Sequence, residues 1–324
     1  MDRLESMTVL LAVIDAGNLS AAGRKLRMPL PTVSRKVSEL EAYLKARLLI
    51  RSTRGFTLTD AGRSYIAACR RILDDIHEAE REAAGEYSEP RGELVLTAPV
   101  VFGRLHLLPI VAEFLNVYPE VSVRLTQGDR LVNLAEDHVD LALRIGTLPD
   151  SSLISTGLGS IRRIVCASPA YLAARGMPQD PRDLGAHQCI GFEHFTAGAA
   201  WRFQLGGVET TVPVRPRLIV NTAEAAIDAA IAGVGLTCVL SYQVESALRA
   251  GLLNLVLQGF EPTPIPVSFL YLGQGREPLK LRAFLDFAAP RLRLRLQEAE
   301  AALATSIKPS SAKGGTRKRR PNPS

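Results

Sequence analysis

At 324 residues the chain is too long for one ordinary core and suits two or three domains. With 47% hydrophobic and 22% charged residues it can bury sizeable cores, which excludes general disorder. Residues 1–59 carry +5 and residues 308–324 carry +6, so a whole of +6 leaves −5 for the middle, and only the basic ends suit a polyanion.

In chain order, Leu4, Met7, Leu11 and Ile14 recur at helical spacing until Gly17, which predicts a first helix. Ser20 is placed to cap a short alanine-rich second helix, Ala21 to Leu26. Pro29 forces a turn, and Pro31 is tolerated in the first turn of a third helix. There Val33, Val37, Leu40 and Leu44 form one apolar stripe, with Thr32, Ser34, Arg35, Lys36 and Ser38 on the opposite face. That face suits the major groove of DNA, although a three-helix core with a solvated basic face has the same pattern. Leu48–Ile50 and Phe56–Leu58 then read as strands around a Ser52–Gly55 hairpin, with Arg51 and Arg54 near its tip. Cations on such a wing sit over phosphates and position the reader without reading sequence.

The run from Leu10 to Gly62, LLAVIDAGNLSAAGRKL followed by PTVSRKVSELEAYLKARLLIRSTRGFTLTDAG, resembles the DNA-binding domain of the LysR-type transcriptional regulators. The resemblance implies a winged helix-turn-helix on double-stranded DNA, with Ser20, Thr32, Ser34, Arg35, Lys36, Arg51 and Arg54 as the DNA-facing set. Pro29 and Leu30 depart from the family's usual Ser and Gln before the recognition-helix proline, so the usual cap is absent and Leu30 offers at most an apolar contact with a thymine methyl.

Thr59 can cap a new helix with Asp60 at its positive end. Ile66, Cys69, Leu73, Ile76, Ala83 and Tyr87 fall on heptad a and d positions, with Glu80 a polar intruder. Either a dimer seam or packing on the chain's own domain fits; the family resemblance favours an antiparallel dimer helix. Pro90 and Gly92 mark a boundary.

Beyond it, short apolar runs alternate with helical patterns. Leu94–Leu96, Val121–Leu125, Val139–Ile145, Ile164–Ala167, Leu218–Val220 and Leu236–Leu240 read as strands, and Leu107 to Tyr118 as a helix. The alternation predicts α/β layers with largely parallel sheets and ligands beyond the carboxyl ends of strands. By resemblance this is a periplasmic-binding-protein-like effector domain of two subdomains, with crossovers near 160–165 and 264–268. Thr97, Ala98, Pro99, Val100, Asn221 and Thr222 match the segments that line its cleft, and Phe102, Arg144, Phe192 and Gly235 are further candidates. Helix capping is an equal reading of Thr97 and Asn221. Helix N-termini at both segments suggest an organic anion as effector.

The division expected is therefore residues 1–59 for DNA reading, 60–90 for a linker and dimerisation helix, and 91–305 for the effector domain. Within the last, subdomain one takes 91–162 and 267–305 and subdomain two 163–266; 306–324 form a disordered basic tail. The resemblance implies a homodimer or homotetramer.

Cysteines at 69, 166, 189 and 238 show no paired spacing, which fits a reducing cytoplasm. No signal-peptide core and no run of roughly 20 apolar residues is evident, so a cytoplasmic, nucleoid-associated protein without a membrane partner is expected. His187, Cys189 and His194 match no common zinc spacing, and no nucleophile elbow, P-loop or dinucleotide fingerprint occurs. No metal, cofactor or catalysis is expected. A solute-binding protein with an oligomerising head and a non-specific architectural DNA binder are the alternatives to a ligand-responsive regulator.

Overall fold

The structure, a computed structural model, describes residues 1–52, 55–83, 89–130, 132–147, 153–192, 200–273 and 277–306. Arg54, Tyr87, His194 and the basic tail from residue 307 lie outside them, as do the side chains of Arg51 and Ala83.

Helix α1 (Arg3–Ala16) opens on Asp2, whose side chain accepts from the Leu4 and Glu5 amides, and closes on Gly17 in the left-handed region. It buries Ser6, Val9, Leu10 and Val13, whereas Leu4 is exposed and Met7, Leu11 and Ile14 are half-buried. The core face is thus rotated from the stripe expected: two adjacent faces share helical spacing, and the docking of neighbouring helices chooses between them. In α2 (Leu19–Leu26) the cap is Asn18, not Ser20: the extended Asn18 side chain accepts from the Ala21 amide at 2.8 Å, leaving Ser20 exposed within the first turn. Helix α3 (Leu30–Leu44) starts at Pro29 without a side-chain cap and buries Val33, Val37 and Leu40.

Strands β1 (Leu49–Ser52) and β2 (Gly55–Leu58) pair antiparallel, Leu49 opposite Leu58. Thr59 caps α4 (Asp60–Ala83) by accepting from the Gly62 amide at 2.9 Å. Ile66 joins the core made by Val9, Leu10, Val33 and Val37, and Cys69 is fully buried on the same helix. The first two seam positions are therefore used within the chain, because α1 covers the start of α4.

The larger part runs through β3 (Gly92–Ala98), β4 (Val121–Gln127), β5 (Leu141–Ile145), β6 (Leu153–Ile161), β7 (Arg163–Ala167) and β8 (Cys189–Phe192). It continues through β9 (Ala200–Leu205), β10 (Val208–Pro213), β11 (Pro216–Val220), β12 (Leu236–Leu240), β13 (Asn254–Val256) and β14 (Ile265–Leu272). Two five-stranded sheets result, ordered β4-β3-β5-β14-β6 and β11-β8-β12-β7-β13. The chain passes from the first to the second at Arg162 and returns between Val256 and Ile265. Both sheets mix parallel and antiparallel pairs.

The first helix of this part begins earlier than Leu107. It spans 18 residues from Val100 to Val117, because Pro99 opens it and a π-helical turn at Gly103–Leu107 carries it past the glycine. Its length and apolar composition would suffice for a membrane span, but Phe102, Leu107, Ile110 and Phe114 bury its inner face in the core of the first lobe. The last helix, Leu279–Ser306, continues through Pro290. A hairpin absent from the sequence reading, β9–β10, turns on Gly206-Gly207 with φ of +59° and +84° and buries Trp201 and Phe203. Glycine-glycine between alternating residues is its sequence signal.

Candidate DNA-reading face and effector cleft

On α3 the buried stripe leaves Arg35 outermost, its side chain 64% exposed and ion-paired to Glu39 one turn on at 2.8 Å. Lys36 behaves differently: it is 14% exposed, and its Nζ lies 2.5 Å from Glu5 Oε2 on α1. Thr32 and Ser34 are half-buried, and Leu30 is 46% exposed. The outward set thus centres on Arg35, with Lys36 turned back toward the module. Two supports escaped the sequence reading. Glu41 Oε1 accepts from the Leu48 and Leu49 amides at 2.7 and 3.0 Å, tying the wing to the recognition helix by charge-assisted bonds. Gly62 lets α4 touch the Leu48 carbonyl. Glycine inside a helix was the visible clue to the second; the first had none.

In the first lobe, Thr97 and Ala98 are buried at the carboxyl end of β3, and Val100 is 39% exposed. The Val100 amide donates to Asp129 Oδ1 at 3.3 Å, so an internal carboxylate already occupies the first donor of this helix. In the second lobe, Asn221 and Thr222 are exposed at the end of β11, and Thr222 caps the helix Ala223–Ile231 by accepting from the Ala225 amide at 3.2 Å. Capping accordingly falls to Thr222, with Pro99 at the other helix start, and to neither Thr97 nor Asn221. Arg104 meets Glu224 across the lobes at 3.3 Å.

Arg144 is 8% exposed, so it is not a surface residue. Its guanidinium donates to the carbonyls of Leu143 at 3.1 Å and Arg130 at 3.5 Å, with no carboxylate in ion-pair range among the described residues. Burial pushes its pKa down, opposed by the Asp129 charge. Phe102 and Phe192 are buried in the core that joins the lobes, where Phe102 meets the Tyr242 ring edge-on at 5.1 Å. His106 packs on both rings, and burial, aided by Arg295, holds it down at about 4 and therefore neutral. Gly235 has a packing role: a Cβ there would lie 2.3 Å from the Gln188 carbonyl oxygen. Among the described residues no group of three His, Cys, Asp or Glu could hold a metal. His187 Nδ1 lies 3.3 Å from the Tyr171 hydroxyl, and Cys189 is buried.

Both crossovers converge on Arg162, 3.5 Å from Glu261 and from Glu300. Burial outweighs the Arg162 attraction and pushes Glu261 up to about 7 from 4.5, with Glu300 adding to the rise. A carboxyl with a raised folded-state pKa contributes stability that is full below its unfolded pKa and lost as pH rises through the folded one. The thermal midpoint should therefore carry a downward contribution between about pH 4.5 and 7 that Glu261→Gln removes. Parallel midpoint curves for the two proteins across that range would exclude it.

The description "Bacterial regulatory helix-turn-helix protein, lysR family" matches residues 4–63, and "LysR substrate binding domain" matches residues 88–293. This chain belongs to the LysR family of transcriptional regulators. A LysR-type relative, the transcriptional regulator CrgA of Neisseria meningitidis, is 34% identical over 292 residues, covering 89% of this chain and 96% of its own. The transcriptional activator AaeR of Escherichia coli is 32% identical over 289 residues, covering 88% and 93%. A solved CrgA structure superposes with a TM-score of 0.58 at 32% identity, covering 89% of this chain and 98% of that one. Full-length AphB from Vibrio cholerae superposes with a TM-score of 0.56 at 26% identity, covering 88% and 98%. The LysR family architecture of an N-terminal helix-turn-helix and a C-terminal effector-binding domain is thus the architecture of this chain.

Proposed function

We propose that this regulator binds operator DNA in the cytoplasm as a homodimer or homotetramer, reading sequence with α3 and holding the backbone with the wing, and performs no catalysis. Residues 1–59 would read DNA, 60–90 link and pair the subunits, and 91–305 sense the effector. The observation that carries the reading is Arg35, held outward by a helix that buries Val33, Val37 and Leu40 on its opposite face. Thr97 to Val100 and Asn221–Thr222 close the carboxyl ends of β3 and β11, one in each lobe, and we assign them to the effector cleft. An organic anion suits it, because Arg144 supplies a nearly buried cation whose hydrogen bonds, among the described residues, go to carbonyls.

The test is a genome-wide footprint of the purified protein at physiological salt, with and without candidate organic acids. A few sharp pseudo-palindromic sites that shift with one acid are the expected result. Diffuse occupancy would overturn the reading, since phosphate contacts alone do not discriminate sequence.

A further inference from the structure

Where α4 meets the effector domain, charged side chains converge from four directions. Arg71 on α4 brings Nη1 to 3.0 Å from His138 Nδ1, in the connection between β4 and β5. One turn along α4, Asp74 covers Gly92 at the start of β3: a Cβ there would lie 3.1 Å from Asp74 Oδ2 and 4.0 Å from Lys280 Nζ. Lys280 opens the last helix and is only 5% exposed. Asp140 accepts from the Val95 amide at 2.7 Å; burial pushes its pKa up, opposed by that bond and by the attraction of Lys280 and Arg71.

The element that carries His138 is braced by its own bonds and by the core. Asn133 and Asp137 bond one another reciprocally: the Asp137 amide donates to the Asn133 carbonyl at 2.8 Å, and Asp137 Oδ2 accepts from the Asn133 amide at 3.0 Å. Leu134 and Val139 are buried against Ala142 and Leu270, and His138 itself sits at φ +53°, a left-handed conformation that the surrounding bonds hold. The same connection holds Asp129 on the Val100 amide at the cleft. Described residues of this connection therefore lie at both places, Asp129 at the cleft and His138 on the linker helix.

Apolar contact alone would let a helix slide or roll on its support. Charges that are half-buried, as Arg71, Asp74, His138 and Asp140 are, or buried, as Lys280 is, resist this, because displacement separates partly desolvated groups from their partners, so such clusters specify geometry more than they stabilise. We propose that Arg71, Asp74, His138, Asp140 and Lys280 form the joint that fixes the pitch of the linker helix on the effector domain, with Arg71 as the residue that positions the DNA-reading module. A shift of His138 would act on Arg71 directly through their contact. The joint rests on the regulator's two-part architecture and not on which small molecule binds.

Spin labels on full-length protein carrying Ala79→Cys and Asn116→Cys test it; both positions are exposed, and the four native cysteines are buried. Labelled chains diluted into unlabelled protein report the distance within one subunit. One narrow distance is expected, broadened or shifted by Arg71→Ala and largely restored by Arg71→Lys. Arg63→Ala, which removes contacts with Asp60 and the Leu58 carbonyl at the start of the same helix, should leave it unchanged. Binding to a single half-site should be unaffected by Arg71→Ala, while binding to the paired operator weakens about tenfold, within the 5- to 150-fold span of ordinary coupling. An unchanged distance distribution overturns the joint. So does a broadened distribution with unaltered preference for paired over single half-sites. Failure of the footprint to respond to any acid would count against the cleft assignment and leave these distances to decide the joint separately.

Discussion

Gly62→Ala will weaken operator binding by about 30-fold or more and leave the effector domain folded. An alanine Cβ at this position would stand 2.2 Å from the Leu48 carbonyl oxygen, 3.0 Å from its carbon and 3.2 Å from Leu48 Cα. That carbonyl already accepts from the Thr59 amide at 3.1 Å, so the first turn of α4 and the entry to the wing are locked together at the point of the clash. No rotamer relieves a contact between backbone and Cβ; one element must move. Overpacking costs about 1–3 kcal/mol and occasionally more, and contact with backbone places this change at the upper end. For a module of this size that is a large share of its stability. Anisotropy with labelled operator should show a loss of about 30-fold or more. Thermal denaturation should show an early transition for the DNA-reading module and an unchanged one for the effector domain. Wild-type affinity in this variant would mean that the helix shifts at no cost, and that the close approach has no structural role.

The second large effect separates two adjacent cations that composition treats alike. Arg35→Ala should weaken operator binding by about 1–3 kcal/mol, because its exposed guanidinium is free to leave Glu39 for DNA. If Arg35 reads a base, discrimination at one operator position relaxes; if it holds a phosphate, affinity falls on all sequences and the salt slope decreases by about 1. Lys36→Ala should act mainly through folding, since Lys36 is 14% exposed and bound to Glu5. Its effect on the thermal midpoint should therefore be non-additive with that of Glu5→Ala, as a double-mutant cycle would report. Additive effects on stability, with equal losses of operator affinity from Arg35→Ala and Lys36→Ala, would show that both cations face the groove.

Local signals were enough wherever one segment decides its own conformation. Gly17 closing α1, Thr59 capping α4, and Val33, Val37 and Leu40 facing inward all rest on residues within a turn or two of one another. The β9–β10 hairpin also had such a signal in Gly206-Gly207, and the alternation of Trp201 and Phe203 agrees with it. Misplaced boundaries had local competitors of similar strength. Asn18 and Ser20 are both good caps, and the one whose backbone is extended at the helix start takes the role. The helix after β3 looked later than it is because Gly103 interrupts its pattern, and the π-helical turn that absorbs the glycine has no sequence signature.

The sequence by itself determined the order of reader, linker and sensor, the winged helix-turn-helix, and the α/β character of the remainder, because hydrophobic period and turn residues act over a few positions. Tertiary structure alone decided which face of α1 is core, that Ile66 and Cys69 serve their own module, that Arg144 is buried while Arg35 is not, and that Lys36 answers to Glu5. It alone brought Arg71 to His138 and Arg162 to Glu261, pairs separated by 67 and 99 positions along the chain. A charge shows in the sequence what it can bind; which opposite charge reaches it depends on how the sheets and helices pack, and no local pattern encodes that distance.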